Sequence, residues 1–380
     1  MRLLVDENLL GARAFFEDLG TLVTRPGRAV TTADVAAADV LLLRSQTRVD
    51  AALLGDARPR FVGTATAGTD HVDTALLAAR GIPFASAPGC NADPVADWVV
   101  TAVAHAVLEG RLVPGRSRCA VVGGGAVGSR VVRRLVALGF ETGLSDPPLE
   151  TARHRPGVPW LSWAEVLEAD LVTLHVPLTR DGPHATRRLL DAAALERLRP
   201  GTVLLQAARG GVVDDAALDA RLRRADDLWV ALDVWDGEPD RVPGLAGRVR
   251  FATPHIAGHS LDGKARGTEM IHDALCARLG RPPRVRAADV LPPPPPPRAV
   301  AGTSAEAGWR AVTQGYDLAA DTRALRETEA LDGPARAAAF DELRRAYPPR
   351  RDFSVQRVRA RGEAAAVCSG AGFVVEEATA

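Results

Sequence analysis

The segment Cys119-Ala-Val-Val-Gly-Gly-Gly-Ala-Val-Gly128 decides how the central part of this chain folds. It begins with a short apolar run, which is typical of a buried parallel strand. Gly123, Gly125 and Gly128 then form the pattern G-x-G-x-x-G, and a helical pattern begins at about Ala126. The first glycine permits a tight turn, the second lets the backbone approach a pyrophosphate, and the third allows the helix to pack closely on the strand. The segment therefore predicts a dinucleotide-binding turn.

Asp146 stands at the end of the next predicted strand, residues 140–145. A carboxylate at this place can accept hydrogen bonds from ribose hydroxyls, and it repels a 2′-phosphate. The order of strand, glycines, helix and acid therefore predicts NAD rather than NADP as the cofactor. The competing interpretation is a tight turn followed by a surface aspartate.

Short apolar runs alternate with helical stretches on both sides of this turn, as parallel strands flanked by helices do. Residues 115–255 are therefore expected to form a doubly wound parallel sheet. Long helices are expected from about 92 to 109 and over 261–278, the second capped by Ser260. The predicted strands are residues 3–5, 40–43, 61–64, 119–122, 140–145, 171–174, 203–205, 229–232 and 249–251.

The composition excludes several classes of function. Basic and acidic residues both number 47 in the 380 residues, so no net charge attracts nucleic acid or an anionic membrane. The longest apolar run, 98–108, is too short to span a bilayer, and acids within residues 1–8 argue against a signal peptide. The four cysteines lie far apart without a CxxC pair, which argues against a zinc site or a disulfide scaffold. We expect a cytoplasmic protein without a metal.

Three charged residues, Arg209, Glu238 and His255, each follow a predicted strand in a short signature of their own. Since the carboxyl ends of such strands face the ligand crevice, the three are candidates for one site. If Glu238 pairs with His255, it stabilises the imidazolium, and His255 can accept a hydroxyl proton while hydride leaves the same carbon. Arg209 can bind a carboxylate through two parallel N–H bonds. The signatures are Gln206-Ala-Ala-Arg-Gly-Gly-Val-Val-Asp214, Asp233-Val-Trp-Asp-Gly-Glu-Pro239 and Thr253-Pro-His-Ile-Ala-Gly258.

Spacing alone leaves other interpretations of these three residues open. Glu238 would serve equally in a surface ion pair, and Arg209 would serve as a solvated cation. Further along, residues 292–297 are an unbroken proline run, which forms stiff polyproline II and usually joins domains. A partner-docking role for that run is the alternative. Residues 299–380 are expected to form a small separate α/β unit.

The glycine turn and the three signatures resemble, in order and spacing, the D-isomer-specific 2-hydroxyacid dehydrogenases. The resemblance implies an Arg/Glu/His triad, NAD(H), and His255 as general base in oxidation and proton donor in reduction. It also implies a flavodoxin-like substrate domain with a Rossmann-type NAD domain inserted in it, and a homodimer formed through the C-terminal domain. The implied domains are 1–95 with 258–290 for the substrate, 96–257 for NAD, 291–298 as a proline-rich linker and 299–380 for dimerisation.

Five further segments resemble one branch of that family, whose members oxidise 4-phospho-D-erythronate to 3-hydroxy-2-oxo-4-phosphooxybutanoate in pyridoxal 5′-phosphate biosynthesis. The resemblance implies a phosphorylated 2-hydroxy acid as substrate, in contact with Ser45 and Thr66. His259 stands where the family usually has a substrate-contacting tyrosine. The segments are 4–8, 44–45, 61–73, 87–91 and 263–268. The positions that the resemblance assigns to NAD, beyond the glycines, are Ala126, Val127, Asp146, Ala207, Ala208, Arg209, Asp233 and Gly258.

A substrate phosphate needs a positive pocket. Arg44, beside Ser45, is the first candidate, and Lys264 and Arg266 are the alternatives; each of these also fits a solvated surface cation. Two competing functions are weighed against the leading one. The first is another member of the family, such as phosphoglycerate dehydrogenase. The second is an NAD-sensing binding protein similar to the C-terminal binding protein corepressors.

Overall fold

Three parallel β-sheets form the framework of the protein in a computed structural model that describes residues 1–154 and 157–377. Every strand pairing in these sheets is parallel, and the helices lie in the connections between strands. The predicted α/β class is therefore confirmed. The first nine elements are β1 (Arg2–Asp6), α1 (Ala12–Phe16), β2 (Thr21–Arg25), α2 (Thr32–Ala36), β3 (Val40–Leu43), α3 (Ala51–Leu54), β4 (Phe61–Thr64), α4 (Thr74–Ala79) and β5 (Phe84–Ala85).

The remaining elements supply the second and third sheets and the helices around them. The central ones are α5 (Ala92–Leu108), β6 (Arg118–Val122), α6 (Ala126–Ala137), β7 (Glu141–Ser145), α7 (Pro147–Thr151), α8 (Trp163–Leu167), β8 (Leu171–Leu174), α9 (Ala192–Arg197), β9 (Val203–Gln206), α10 (Asp215–Ala225), β10 (Trp229–Leu232), α11 (Leu245–Arg248) and β11 (Phe251–Ala252). The last ones are α12 (Leu261–Arg278), β12 (Arg298–Ala299), α13 (Ala305–Gly315), α14 (Leu318–Glu327), α15 (Gly333–Arg345), β13 (Arg357–Ala360), α16 (Gly362–Ala371) and β14 (Val374–Glu377).

The chain divides into two compact units. The first unit holds the five-stranded sheet in the order β2-β1-β3-β4-β5, which is the flavodoxin-like order. Helix α12 packs on this sheet, where Ile271 and Leu275 share a core with Phe16 and Phe61. The unit consists of residues 1–92, 259–293 and 349–352.

The second unit holds the six-stranded sheet in the order β11-β10-β9-β8-β6-β7. A single parallel bridge between Leu144 and Trp160 adds a rudimentary strand beyond β7. The direction of winding reverses between β6 and β8, and ligands bind outside the carboxyl ends of strands at such a switch point. This is the predicted Rossmann-type sheet. The unit consists of residues 93–258, 294–348 and those from 353 onward.

The C-terminal segment forms its own three-stranded sheet, β12-β13-β14, yet it packs within the second unit. Trp309, Phe353 and Phe373 share one core with Phe140. A Cβ at Gly370 in α16 would lie 3.0 Å from the carbonyl oxygen of Ala137, at the end of α6. The segment therefore buries its apolar side chains against the Rossmann-type region, as expected for a unit too small to bury a large core alone.

The described parts of the chain contain no helix that is both long enough and apolar enough to cross a membrane. They also contain no group of three or more histidine, cysteine or acidic side chains arranged to hold a metal ion.

Candidate active site

The glycine turn between β6 and α6 has the shape that a dinucleotide requires. Gly123 has a φ of 94°, and a Cβ there would lie 2.8 Å from the carbonyl group of His175. A Cβ at Gly128 would lie 1.8 Å from the Gly123 oxygen, so only glycine fits at both positions. Apart from its neighbours in the chain, no described residue has an atom within 4 Å of a Cβ placed on Gly125, the N-cap of α6, which has no side-chain cap. The turn is thus an open cradle whose helix N–H groups fit a pyrophosphate.

Asp146 lies beside this cradle at the end of β7. Its Oδ2 accepts a hydrogen bond from the Gly124 N–H at 2.8 Å, and its Oδ1 accepts one from the Leu149 N–H at 3.1 Å, capping α7. The half-buried carboxylate is therefore fixed next to the turn, where a ribose would follow the pyrophosphate. Ala126 and Val127 are the first residues of α6.

Nδ1 of His255 and Oε1 of Glu238 are hydrogen-bonded to each other. Burial acts to raise the pKa of Glu238, but the charge and hydrogen bond of His255, the charge of Arg344 and the Trp235 N–H outweigh it and lower that pKa. Glu238 is therefore a carboxylate near neutral pH, held against the imidazole. Because Nδ1 faces this carboxylate, Nε2 is the nitrogen that can exchange a proton with a substrate.

The backbone of His255 has a φ of 55°, a left-handed conformation that is unusual outside glycine and is found at functional sites. The carboxylate of Asp233 holds the surrounding loop. It accepts hydrogen bonds from the Thr253 hydroxyl at 2.6 Å, the Ile256 N–H at 2.8 Å and the Ala257 N–H at 3.0 Å. The Asp233 carbonyl also accepts the His255 N–H at 2.7 Å. Asp233, predicted only as a cofactor position, is thus an anchor of the histidine loop.

Arg209 lies in a turn that is fixed by a buried glutamine. Oε1 of Gln206 accepts the Ala208 N–H at 3.1 Å, and its Nε2 donates to the Arg209 carbonyl at 3.0 Å. Nη1 of Arg209 donates to the Ala208 carbonyl at 2.9 Å. The guanidinium is half-buried at the end of β9, next to β10 in the sheet. Ala207 precedes Ala208 and Arg209 in the same turn.

Two contacts join the turn of Arg209 to the turn that carries Glu238. A Cβ at Gly210 would lie 1.9 Å from the carbonyl oxygen of Trp235, so the two backbones touch there and leave no room for a side chain. Asp215, at the start of α10, accepts the Asp236 N–H at 2.8 Å. The structure therefore holds these two turns, and the residues on them, close to each other.

Asp215 is a residue that the sequence analysis missed. Its side chain is buried, and burial, with the negative charges of Asp236, Asp214 and Glu238, raises its pKa to about 7 despite the Asp236 N–H. The signal available in the sequence was an Asp-Asp pair, 214–215, at the end of the arginine signature. Such a pair is also a common way to begin a helix, and Asp214 does cap α10.

The residues predicted to bind substrate lie in the first unit. Ser45 is exposed directly after β3. The Thr66 hydroxyl donates to the Gly68 carbonyl at 2.8 Å and contacts the Thr64 hydroxyl at 2.9 Å, which in turn contacts Nε2 of His71 at 2.9 Å. Thr66 is therefore held at the carboxyl end of β4 by a chain of hydrogen bonds.

The three candidate cations for a phosphate differ in their surroundings. Nη1 of Arg44 donates to the Asn8 carbonyl. Burial lowers the pKa of Lys264, and the Arg44 charge lowers it further, so the two cations lie near each other. Arg266 instead forms an ion pair with Asp352 at 2.8 Å. The charge of Arg44 thus acts on Lys264, whereas Arg266 is paired with a carboxylate.

His259 is half-buried and lies two residues before α12 in the first unit. Gly258, predicted to contact NAD, is the last residue of the first segment of the second unit. The chain thus passes from one unit to the other directly between these two residues.

The sequence is similar to those of known dehydrogenases. Residues 98–257 match the family model described as D-isomer specific 2-hydroxyacid dehydrogenase, NAD binding domain. An erythronate-4-phosphate dehydrogenase of Azotobacter vinelandii is 46% identical over 370 residues, which is 96% of each chain. One from Pseudomonas aeruginosa is 46% identical over 369 residues, again 96% of each. The chain belongs to the erythronate-4-phosphate dehydrogenase family.

This member of the erythronate-4-phosphate dehydrogenase family is an NAD-dependent oxidoreductase, and its NAD-binding domain is the one that the glycine turn predicted. The crystal structure of the TT0316 protein from Thermus thermophilus has the same fold. It superposes with a TM-score of 0.61 at 28% identity, covering 74% of this chain and 98% of that one. Residues 297–369 match a separate family model, described only as a domain of unknown function.

Proposed function

We propose that the protein oxidises 4-phospho-D-erythronate to 3-hydroxy-2-oxo-4-phosphooxybutanoate with NAD, as a step of pyridoxal 5′-phosphate biosynthesis in the cytoplasm. The names of the relatives support this substrate. The observation that carries the chemistry is the hydrogen bond of His255 with Glu238, whose turn is joined to that of Arg209. A different family member, phosphoglycerate dehydrogenase, would use the same triad, so the substrate must be tested directly.

The proposed roles follow from the chemistry of each side chain. Arg209 binds the substrate carboxylate through two N–H groups, which fixes the neighbouring carbon. Nε2 of His255 accepts the proton of the C2 hydroxyl, and Glu238 stabilises the imidazolium that results. The glycine turn of Gly123, Gly125 and Gly128 would hold NAD, which would supply the acceptor for the hydride on the same carbon. The C2–OH group thus loses the hydroxyl proton and the hydride on C2, and C2 becomes a ketone carbon.

The phosphate is proposed to bind Arg44 and Lys264, with polar contacts from Ser45, Thr66 and His259. The effect of the Arg44 charge on Lys264 supports this assignment, since an anion would relieve the repulsion of the two cations. Replacing Lys264 by Gln should raise KM for the phosphorylated acid by about tenfold, because a charged hydrogen bond contributes about 1.5–3 kcal/mol. An unchanged KM would assign the phosphate to other residues.

We also propose a homodimer that involves the C-terminal segment. Truncating the chain before this segment would not test the proposal, because Trp309 and Phe353 are part of the core of the second unit. Sedimentation of the full chain is the appropriate measurement. A mass of two chains supports the proposal, and a mass of one chain contradicts it.

A further inference from the structure

A buried arginine joins the turn that carries Glu238 to the C-terminal segment. Arg241 follows Glu238 in this turn, and its side chain is fully buried. Its Nη2 donates to Oε1 of Glu329 at 2.6 Å and to the Thr328 hydroxyl at 2.9 Å. Both acceptors lie in the short 3-10 helix Thr328–Ala330, between α14 and α15. The turn and the C-terminal segment are therefore linked by a charge pair away from water.

The same glutamate also holds the far end of this turn. Oε2 of Glu329 accepts the Gly244 N–H at 2.7 Å, so one carboxylate joins Arg241 and Gly244. Nε and Nη1 of Arg241 have no hydrogen-bond partner among the described residues, so its buried charge depends strongly on Glu329. The guanidinium carbon lies 5.9 Å from the Trp235 ring centroid and 5.6 Å from that of Phe340. It is thus in contact with aromatic rings of both segments.

Helix α15 brings further positive charge to the turn. Arg344, near its end, is one of the charges that lower the pKa of Glu238, and its guanidinium lies 5.9 Å from the Phe340 ring. Arg336 on the same helix contacts Asp240 at 3.5 Å. Three residues of the C-terminal segment, Glu329, Arg336 and Arg344, therefore act on the seven residues 238–244.

We infer that residues 328–344 of the C-terminal segment are a positioning element for the Glu238–His255 pair. They fix the turn through the Arg241–Glu329 ion pair and place Arg344 near Glu238. This segment lies within residues 297–369, which match a model described only as a domain of unknown function, and the kinetic tests of its role rest on the proposed function. None of these residues is assigned contact with substrate or cofactor; each acts through Glu238.

The first test is a set of charge-removing variants. Glu329→Gln keeps a hydrogen-bond acceptor for Gly244 but leaves the Arg241 charge unpaired. We expect kcat to fall at least tenfold with KM for NAD within about twofold, since the turn shifts while the nucleotide cradle stays intact. Glu196→Gln is the matched control, because it removes a glutamate from an exposed pair with Arg224. Wild-type kcat in Glu329→Gln would overturn the inference.

The second test uses Arg344→Gln, which removes the charge without opening the buried pair. Protonating the Glu238–His255 pair becomes easier without this cation, so the acid limb of the pH profile of kcat/KM should move to higher pH. A purely structural role for Arg344 would leave that limb in place. An unmoved limb would therefore contradict the electrostatic part of the inference, even if Glu329→Gln failed to fold.

Hydrogen exchange tests, without any substrate, whether the Arg241–Glu329 ion pair fixes the turn of residues 238–244. In Glu329→Gln, amides of residues 236–248 should exchange several-fold faster than in the wild type, while Glu196→Gln should match the wild type. Faster exchange in Glu329→Gln would support the fixing of the turn by the ion pair. If the wild type also failed to oxidise the phosphorylated acid, the proposed function alone would be refuted. Unchanged exchange of residues 236–248 in Glu329→Gln would refute the positioning role of the ion pair and leave the proposed function standing.

Discussion

At the scale of single residues, His255 is the group on which turnover depends most. Replacing it by Ala removes the proton acceptor but leaves the glycine cradle intact, so we expect kcat to fall by about 10²–10⁴. The Kd for NAD, measured by quenching of tryptophan fluorescence, should stay within about twofold. Turnover near the wild-type level would refute the proton-transfer role.

Arg209 is expected to tolerate no conservative change. Lysine carries the same charge but lacks the planar pair of donors that a carboxylate binds. Arg209→Lys should therefore lower kcat/KM by about 10- to 100-fold, measured by steady-state kinetics with 4-phospho-D-erythronate. Arg224→Lys, at an exposed pair with Glu196, is the control and should change little. If kcat/KM were the same for Arg209→Lys and its control, Arg209 would not be the residue that binds the substrate carboxylate.

Asp215 should make stability depend on pH in a defined direction. Its pKa is raised to about 7 in the folded protein, so its contribution to stability is full below about pH 4 and is lost as pH rises to 7. Asp215→Asn removes this loss and keeps an oxygen for the Asp236 N–H. We expect the variant to gain stability over the wild type by up to about 4 kcal/mol at pH 7.5, and much less at pH 4.5. Thermal unfolding at both values checks this; a pH-independent difference would contradict it.

These residues also mark how far the sequence alone can lead. Arg209, Glu238 and His255 were found because each stands in a signature after a strand, where parallel sheets bind ligands. Spacing alone did not decide whether the three lie close together, because that depends on the backbone contact of Gly210 with Trp235. The role of Asp215 was not visible, because no pattern in the sequence states that an acid at a helix start is buried.

At the scale of elements, the close contact between the arginine and glutamate turns can be tested at Gly210. A Cβ there would overlap the Trp235 carbonyl oxygen, so Gly210→Ala must push the two turns apart. We expect a loss of stability of about 1–3 kcal/mol, the usual cost of overpacking, and a lower kcat. Gly247→Ala is the control, since no atom lies within 4 Å of a Cβ at that glycine. If both variants melt and turn over alike, the contact does not position the triad.

The elements that the sequence predicted are those with continuous apolar runs. Strands β3, β4, β8 and β10 are fully buried, and their prediction is confirmed. Strand β2 lies at a sheet edge with partly exposed residues, and β5 has only two residues, so neither has such a run. Helix α12 was predicted with its observed bounds, and Ser260 caps it through the Gly263 N–H at 2.9 Å.

At the scale of the whole molecule, residues 299–380 were expected to stand apart from the NAD domain. In the structure the described part of this segment packs mainly within the second unit, and residues 349–352 belong to the first. The reason is energetic, because a short segment buries more apolar surface against an existing core than it can alone. Contacts such as Arg241 with Glu329 join residues far apart in sequence, and composition gave no sign of them.

The most direct test of the account is the formation of NADH by the full chain with NAD and each of three acids. The acids are 4-phospho-D-erythronate, D-erythronate without the phosphate, and 3-phospho-D-glycerate. We expect kcat/KM for 4-phospho-D-erythronate to exceed both others by about 100-fold or more, since each comparison removes a charged group or a carbon that the site binds. No NADH with 4-phospho-D-erythronate, or faster oxidation of 3-phospho-D-glycerate, would contradict the proposed function.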